Sequence, residues 1–317
     1  MKTAITDRTL SYLRYDAERV TPERLANYAK TVLMCGADYI EISTETAINM
    51  ELPDYSEKYI LHISNTYDIG YCTAKRFAYV VLPLCLAGHI GRIPEDQPVI
   101  LETYVDEYSA HAMLLYLHRF SFIRRLSAIR LTGVFGDTDE SLAKLIAWGR
   151  ANLFLPLDIC PLNSMMTGVS DAITARNAGA GMLSLSFGRG YYYTSLEQYI
   201  IDLHIFRRMP MGSDIIKGIC AASFVFADIF CTIPTGLARI IDTDSEVSAA
   251  IVDIENGRMF RPYRVTRPSS PIPRESAIDR KIKSIGLEQD IESAIIDMLK
   301  KVNFSFYKEI TKRNLID

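Results

Sequence analysis

Short β-prone runs alternate with helix-periodic stretches from the N-terminus to about residue 210. The first run covers 4–10. Thr21, Pro22 and Glu23 then make a helix start, with a Thr cap, Pro at the first helical position and an acid in the first turn. Leu25, Tyr28, Ala29 and Val32 give that helix an apolar face, and Gly36 ends it. Strands are predicted over 39–43, 59–63, 77–82, 99–105 and 128–132, with helices over 107–120 and 139–151. A further strand, 157–163, runs into the helix 164–179. Gly179, Ala180 and Gly181 break that helix before the apolar strand 182–187. Such a strand–helix–strand unit is the crossover a parallel sheet requires.

Eight strands in this alternation predict an α/β fold, a (β/α)8 TIM barrel over 1–210, rather than an open doubly wound sheet. The span 44–75 leaves little room for full crossover helices, so one side of the barrel is expected to be irregular. Helices follow over 195–207 and 213–230. Pro262, Pro268, Pro271 and Pro273 exclude a regular helix there, so 211–273 reads as a helical arm and Pro-rich linker. The remainder, 274–317, reads as a small helical subdomain. Its helix 290–302 carries Ile291, Ala294, Ile295, Met298 and Leu299 on one face. There are no internal repeats.

Composition changes this picture little. With 49% hydrophobic and 23% charged residues among 317, the chain can bury a large core and is not globally disordered. A net charge of −3, with Lys and Arg spread along the chain, gives no case for nucleic acid or an anionic membrane as partner. The apolar run 218–238 is interrupted by Asp228 and Pro234 and reads as a buried helix and its exit, not a membrane span. Six cysteines without a CxxC pair read as reduced and mostly buried, and the first residues lack the apolar stretch of a signal peptide. A cytoplasmic location is expected.

Active sites of such barrels lie at the C-terminal ends of the strands. The polar residues there are Asp7, Glu41, Glu102, Arg130 and Asn163, with Arg189 in the loop after the last strand. The acids can hold a divalent cation or act as a base, and each can equally be a structural group bonded to loop amides. The five histidines, His62, His89, His111, His118 and His204, show no metal-ligand spacing. No lysine ends a strand, which disfavours Schiff-base chemistry. Gly188, Arg189 and Gly190 can cradle an anion or form a plain tight turn. Tyr191, Tyr192 and Tyr193 read as a cover for the barrel rim.

The order of these pieces resembles the homocitrate synthase and isopropylmalate synthase family, metal-dependent TIM barrels that condense acyl-CoA. The run Ile5, Thr6, Asp7, Arg8, Thr9, Leu10 is similar to the family's D-x-T-L-R-D-G opening. The stretch from Thr21 to Ile42 is similar to T-P-E…G-(V/A)-D-x-I-E-(V/I)-G. Ala128 through Asn163 is similar to R-I-R-L-A-D-T-x-G and the run to H-x-H-N, and Asp171 to Leu185 to A-x-x-A-G-A-x-x-(I/V)-S-x-T. The resemblance implies Asp7 as a metal ligand and Glu41 as a catalytic, substrate-site acid. It implies a divalent metal, a Claisen-type condensation of an acyl-CoA with a 2-oxo acid, and a dimer through the arm.

The motifs are degraded where that chemistry is performed. Ser11 stands where the family has its catalytic arginine, and Cys160 and Leu162 stand where it has two metal-binding histidines. The Asp-Thr of the sixth strand is replaced near Thr132 and Gly133. Only Asp7 and Cys160 remain as metal candidates, with Arg130, Asn163 and Arg189 as substrate-binding candidates. A thiolate suits zinc or iron better than magnesium. Three functions follow: a divergent condensing enzyme taking a small carboxylate or acyl-CoA, a non-catalytic homologue serving as a related partner subunit or ligand-binding regulator, or another barrel chemistry on a small anionic substrate with Glu41 or Glu102 as base.

Overall fold

The computed structural model describes residues 2–12, 15, 20–53, 55–106, 109–120, 123–135, 139–163, 167–188, 193–207 and 213–230. In chain order the elements are β1 (Ala4–Arg8), α1 (Thr9–Tyr12), α2 (Pro22–Met34), β2 (Tyr39–Ser43), α3 (Thr44–Asn49), β3 (Tyr55–His62), α4 (Asp68–Ala74) and β4 (Arg76–Pro83). A 3-10 helix (Leu84–Arg92) leads to β5 (Val99–Val105), and α5 (Ala110–Leu117) ends in a 3-10 turn before β6 (Leu126–Gly133). Then come α6 (Asp139–Asn152), β7 (Leu157–Pro161), α7 (Gly168–Ala178), β8 (Met182–Leu185), α8 (Leu196–Arg207) and α9 (Ser213–Ile229). All eight strands pair in parallel with their sequence neighbours, and β8 closes onto β1. The (β/α)8 barrel expected from the alternation is the fold observed.

The irregular side is also present. Between β2 and β5 the crossovers are two short helices, α3 and α4, and a 3-10 helix. At 1.5 Å per residue these connections are too short for a full helix returning along the wall. β3 begins at Tyr55, four residues earlier than predicted, because Ser56 pairs with Phe77 ahead of a register shift before Ile60. β1 ends at Arg8, two residues early. Leu10 keeps only an isolated bridge to Ile42 as the backbone turns into α1.

Local chemistry sets the boundaries. Thr21 Oγ1 accepts from the Arg24 N–H at 3.4 Å and caps α2. Ser43 Oγ accepts from the Thr46 N–H at 3.1 Å, turning β2 directly into α3. Gly179, at φ +91°, ends α7 in the left-handed region. Gly133 is required by a close approach: a Cβ there would lie 1.8 Å from the Val105 carbonyl oxygen on β5.

The main core lies between barrel wall and helices. Leu25, Tyr28 and Val32 of α2, Leu142 and Ile146 of α6, and Leu196 and Tyr199 of α8 bury against the outward strand residues. α9 lies along α2. Its Phe226 ring is 6.5 Å from Tyr28 and 6.0 Å from Phe187, and Asp228 pairs with Arg24 at 3.2 Å. Among the described residues no helix is long and apolar enough to cross a membrane. The Pro-rich linker and the helical subdomain expected beyond α9 lie outside the described residues.

Candidate active site

Strand side chains alternate between lumen and wall, so one parity of positions lines the barrel interior. At its N-terminal end the lumen is apolar: Ile60, Val81, Ile100, Ala128 and Met182 cluster, with Ala4, Tyr39 and Tyr79 against them. Two residues further along the same strands, about 7 Å nearer the mouth, the lining becomes polar. His62 follows Ile60, Glu102 follows Ile100, Arg130 follows Ala128, and Ser184 follows Met182. Glu41 and Asp158 join these polar residues, and Arg8 and Cys160 lie in the same polar zone, with Cys160 two residues beyond Asp158 on β7.

Two guanidiniums hold it together. Arg130 donates from Nε to Asp158 Oδ2 at 2.6 Å and from Nη1 to Glu41 Oε2 at 2.5 Å. Ser184 Oγ donates to Asp158, lying 3.0 and 2.9 Å from its two oxygens. Arg8 Nη1 reaches across the lumen from β1 to Glu102 Oε1 on β5 at 3.1 Å and to Cys160 Sγ on β7 at 3.0 Å. Its Nε lies 3.5 Å from Glu41 Oε1, and its Cζ sits 4.6 Å from the centre of the Tyr193 ring. Thr132 Oγ1 donates to Glu102 Oε1 at 2.7 Å, and His62 Nε2 lies 3.0 Å from Glu102 Oε2.

Burial pushes the Glu41 and Glu102 carboxyls up, but the neighbouring guanidiniums outweigh it and hold both below the usual carboxylate range. An ionised Glu102 only accepts hydrogen bonds. In the neutral His62 ring the hydrogen therefore sits on Nε2, and Nδ1 carries a lone pair with no partner among the described residues. Burial raises the Cys160 thiol despite Arg8 beside it. Arg130 Nη2 is also buried without a hydrogen bond among the described residues.

Asp7 lies on the opposite face of β1 from Arg8. It accepts from Thr9 Oγ1 at 2.6 Å, Tyr28 Oη at 3.0 Å and the Phe187 N–H at 3.0 Å. For Asp7, the metal ligand that the resemblance implies, the acceptor positions face α2 and the end of β8, not the lumen that holds Cys160. A one-residue offset on a strand changes side, so Asp7 and Arg8 cannot both face the lumen. Among the described residues no group of three or more His, Cys, Asp or Glu is arranged to hold a metal ion.

The lumen acids do not fit a divalent metal either, because a guanidinium already occupies them. A dication about 4 Å from Arg8 would meet roughly 8 kcal/mol of repulsion at an effective dielectric of about 20.

Of the other expected site residues, Glu41, Arg130 and Cys160 meet in the lumen and Asn163 lies apart. Glu41 and Arg130 are brought together, bonded to each other. Asn163 Oδ1 accepts from the Gly168 N–H at 3.2 Å and closes the β7–α7 connection. Arg189 lies outside the described residues. Ser11 Oγ lies 2.8 Å from Glu41 Oε1. Arg8, His62 and Asp158 were missed as site residues. The available signal was parity: Arg8 is in phase with Ala4 and Thr6, and His62 with Ile60.

A second pair of buried carboxyls lies outside the lumen. Burial pushes Asp7 from 3.8 to about 6 and Glu197, which accepts from the Gly188 N–H at 3.2 Å, from 4.5 to about 7. The folded protein keeps protons there that the unfolded chain releases. Stability from these groups is therefore full below about pH 4 and lost as pH rises through about 6 and 7. Glu41 and Glu102 act only at pH values below their ordinary 4.5. Urea unfolding across pH 5–8 should show stability declining as pH rises, with a smaller decline in Glu197→Gln. A flat wild-type profile would contradict this.

No protein-family model matches the chain, and no curated protein sequence matches it. Solved structures do match. Hydroxymethylglutaryl-CoA lyase from Pseudomonas aeruginosa aligns with a TM-score of 0.54 at 10% identity, covering 75% of this chain and 96% of that one. HMG-CoA lyase from Bacillus subtilis aligns at 0.52 and 11%, covering 76% and 98%. The carboxyl transferase domain of Rhizobium etli pyruvate carboxylase, solved with pyruvate, aligns at 0.50 and 11%, covering 74% of this chain and 48% of that one. The aligned chain thus spans about half of that carboxylase chain and nearly all of each lyase. At these identities the likeness is one of fold, the (β/α)8 barrel.

Proposed function

We propose that the barrel mouth is the active site of an enzyme that moves a proton next to the carbonyl of a small oxo acid or acyl thioester. The observation that carries this is the run His62–Glu102–Arg8: a histidine with a free ring nitrogen, a carboxylate orienting it, and a guanidinium bonded to that carboxylate. His62 Nδ1 takes the α-proton, and Glu102 stabilises the resulting imidazolium. Arg8 supplies the positive charge toward which the enolate oxygen develops. His62 retains 16% side-chain exposure while Nδ1 itself is buried, so in this reading the substrate enters by displacing the groups that cover that nitrogen. The fold-level likeness to HMG-CoA lyase and to a carboxyl transferase domain solved with pyruvate supports the substrate class. The sequence resemblance supports condensation of an acyl-CoA with a 2-oxo acid as the finer reading.

The test is proton exchange. In D2O the wild-type protein should wash out the methyl protons of pyruvate or acetyl-CoA, read by NMR. Mixtures of acetyl-CoA with pyruvate or 2-oxoglutarate then test for coenzyme A release. No exchange and no release across this panel would overturn the proposal. That outcome would favour a second reading, a non-catalytic partner subunit or ligand-binding regulator. One observation supports that alternative: Glu41 is engaged at once by Arg130, Arg8 and Ser11, as in a purely structural network.

A further inference from the structure

We infer that Arg8 is the resident cation of the barrel mouth: its guanidinium is held by donors that, once it is removed, form a divalent-metal site with thiolate ligation. Three acceptors from three strands converge on this one group. Glu102 Oε1 and Cys160 Sγ lie 3.1 and 3.0 Å from the same nitrogen, Nη1, and Glu41 Oε1 lies 3.5 Å from Nε. The His62 ring stands directly behind, 3.0 Å from the second oxygen of Glu102. Two carboxylates, a thiol and an imidazole are the ligand types of zinc and cobalt sites, not of magnesium or calcium sites.

Their spacing is set by what they surround. Metal ligands sit 2.0–2.3 Å from zinc, whereas these donors stand about 3 Å or more from the arginine nitrogens. They are spread to the size of a guanidinium, and among the described residues no set of three closes on a metal-sized point. Arg8 is 2% exposed, lies under the Tyr193 ring and is always protonated, so its charge is permanent. A site of this kind carries a fixed positive charge without a metal supply and is indifferent to chelators. Metal can bind only when the guanidinium leaves, with Cys160 releasing its proton to the solvent on ligation.

The experiment reads metal, not turnover, so it stands apart from the proton-exchange test above. Wild-type protein, Arg8→Ala and Arg8→Ala/Cys160→Ser are stripped with chelator and titrated with Co2+ alone, followed by absorbance and elemental analysis. The wild type should retain no stoichiometric cobalt. Arg8→Ala should bind one ion per chain with a thiolate-to-cobalt charge-transfer band. The double variant should lose that band and bind at least about tenfold more weakly. Circular dichroism checks folding. If Arg8→Ala does not fold, Arg8→Gln removes the charge while keeping more of the bulk. Stoichiometric, thiolate-ligated cobalt in the wild type would overturn the inference, as would a folded neutral variant that binds none. If both neutral variants unfold, no folded form of the chain offers these groups to a metal and the inference falls.

Discussion

Arg130→Met is expected to destabilise the barrel by about 3–5 kcal/mol, the cost of leaving buried charges uncompensated. Arg130 is fully buried and holds Glu41 and Asp158 from two other strands, with Glu102 Oε1 3.8 Å away. Methionine fills part of the volume but leaves Asp158 without its counter-ion and Glu41 with Arg8 alone. In a domain of this size the loss corresponds to roughly 6–20 °C in Tm. Lysine should not rescue it, because one ammonium cannot replace a planar fork bonded to carboxylates on two strands. The attribution is checked by a double-mutant cycle in urea. Asp158→Asn should cost far less in the Arg130→Met background than in the wild type. A loss below about 1 kcal/mol for Arg130→Met would show that the guanidinium is not what keeps these acids buried.

The second large effect is on chemistry. His62→Gln should lower the rate of α-proton exchange by about 10²–10⁴-fold, the usual contribution of a positioned base. Glutamine keeps a donor for Glu102 Oε2 but has no ring nitrogen to accept the proton. Stability should change little, since His62 lies at the edge of the charged layer and its Nδ1 bonds nothing among the described residues. The loss should fall on kcat rather than KM, because the proton is in motion only in the transition state. Exchange at the wild-type rate in His62→Gln would remove His62 from the mechanism and leave Glu102 or Glu41 as the base.

How much of this was legible in the chain varies with distance along it. Strand and helix identities rest on alternation and caps within a few residues. The Thr21–Pro22–Glu23 start and the Gly179 stop were therefore readable directly. Boundaries failed where pairing overrode local preference. The polar start of β3 is a strand only because β4 runs beside it, and Thr9 leaves β1 because it opens α1.

The site divides along the same line. Residue types and strand-end positions were present in the sequence, and they marked Glu41, Arg130 and Cys160 as belonging to one end of the barrel. Who faces whom was not. Asp7 and Arg8 are neighbours in sequence, yet one points to α2 and the other into the lumen. Glu41 and Arg130 are bonded across 89 positions, and Arg8 and Cys160 across 152. Local patterns carry no information about such pairings, because they exist only once eight strands have closed and their inward side chains share one small, dry space. In that space charges must be matched. Closure put a guanidinium among the carboxylates and the thiol, where the motif resemblance implied a metal, and left one nitrogen of His62 without a partner among the described residues.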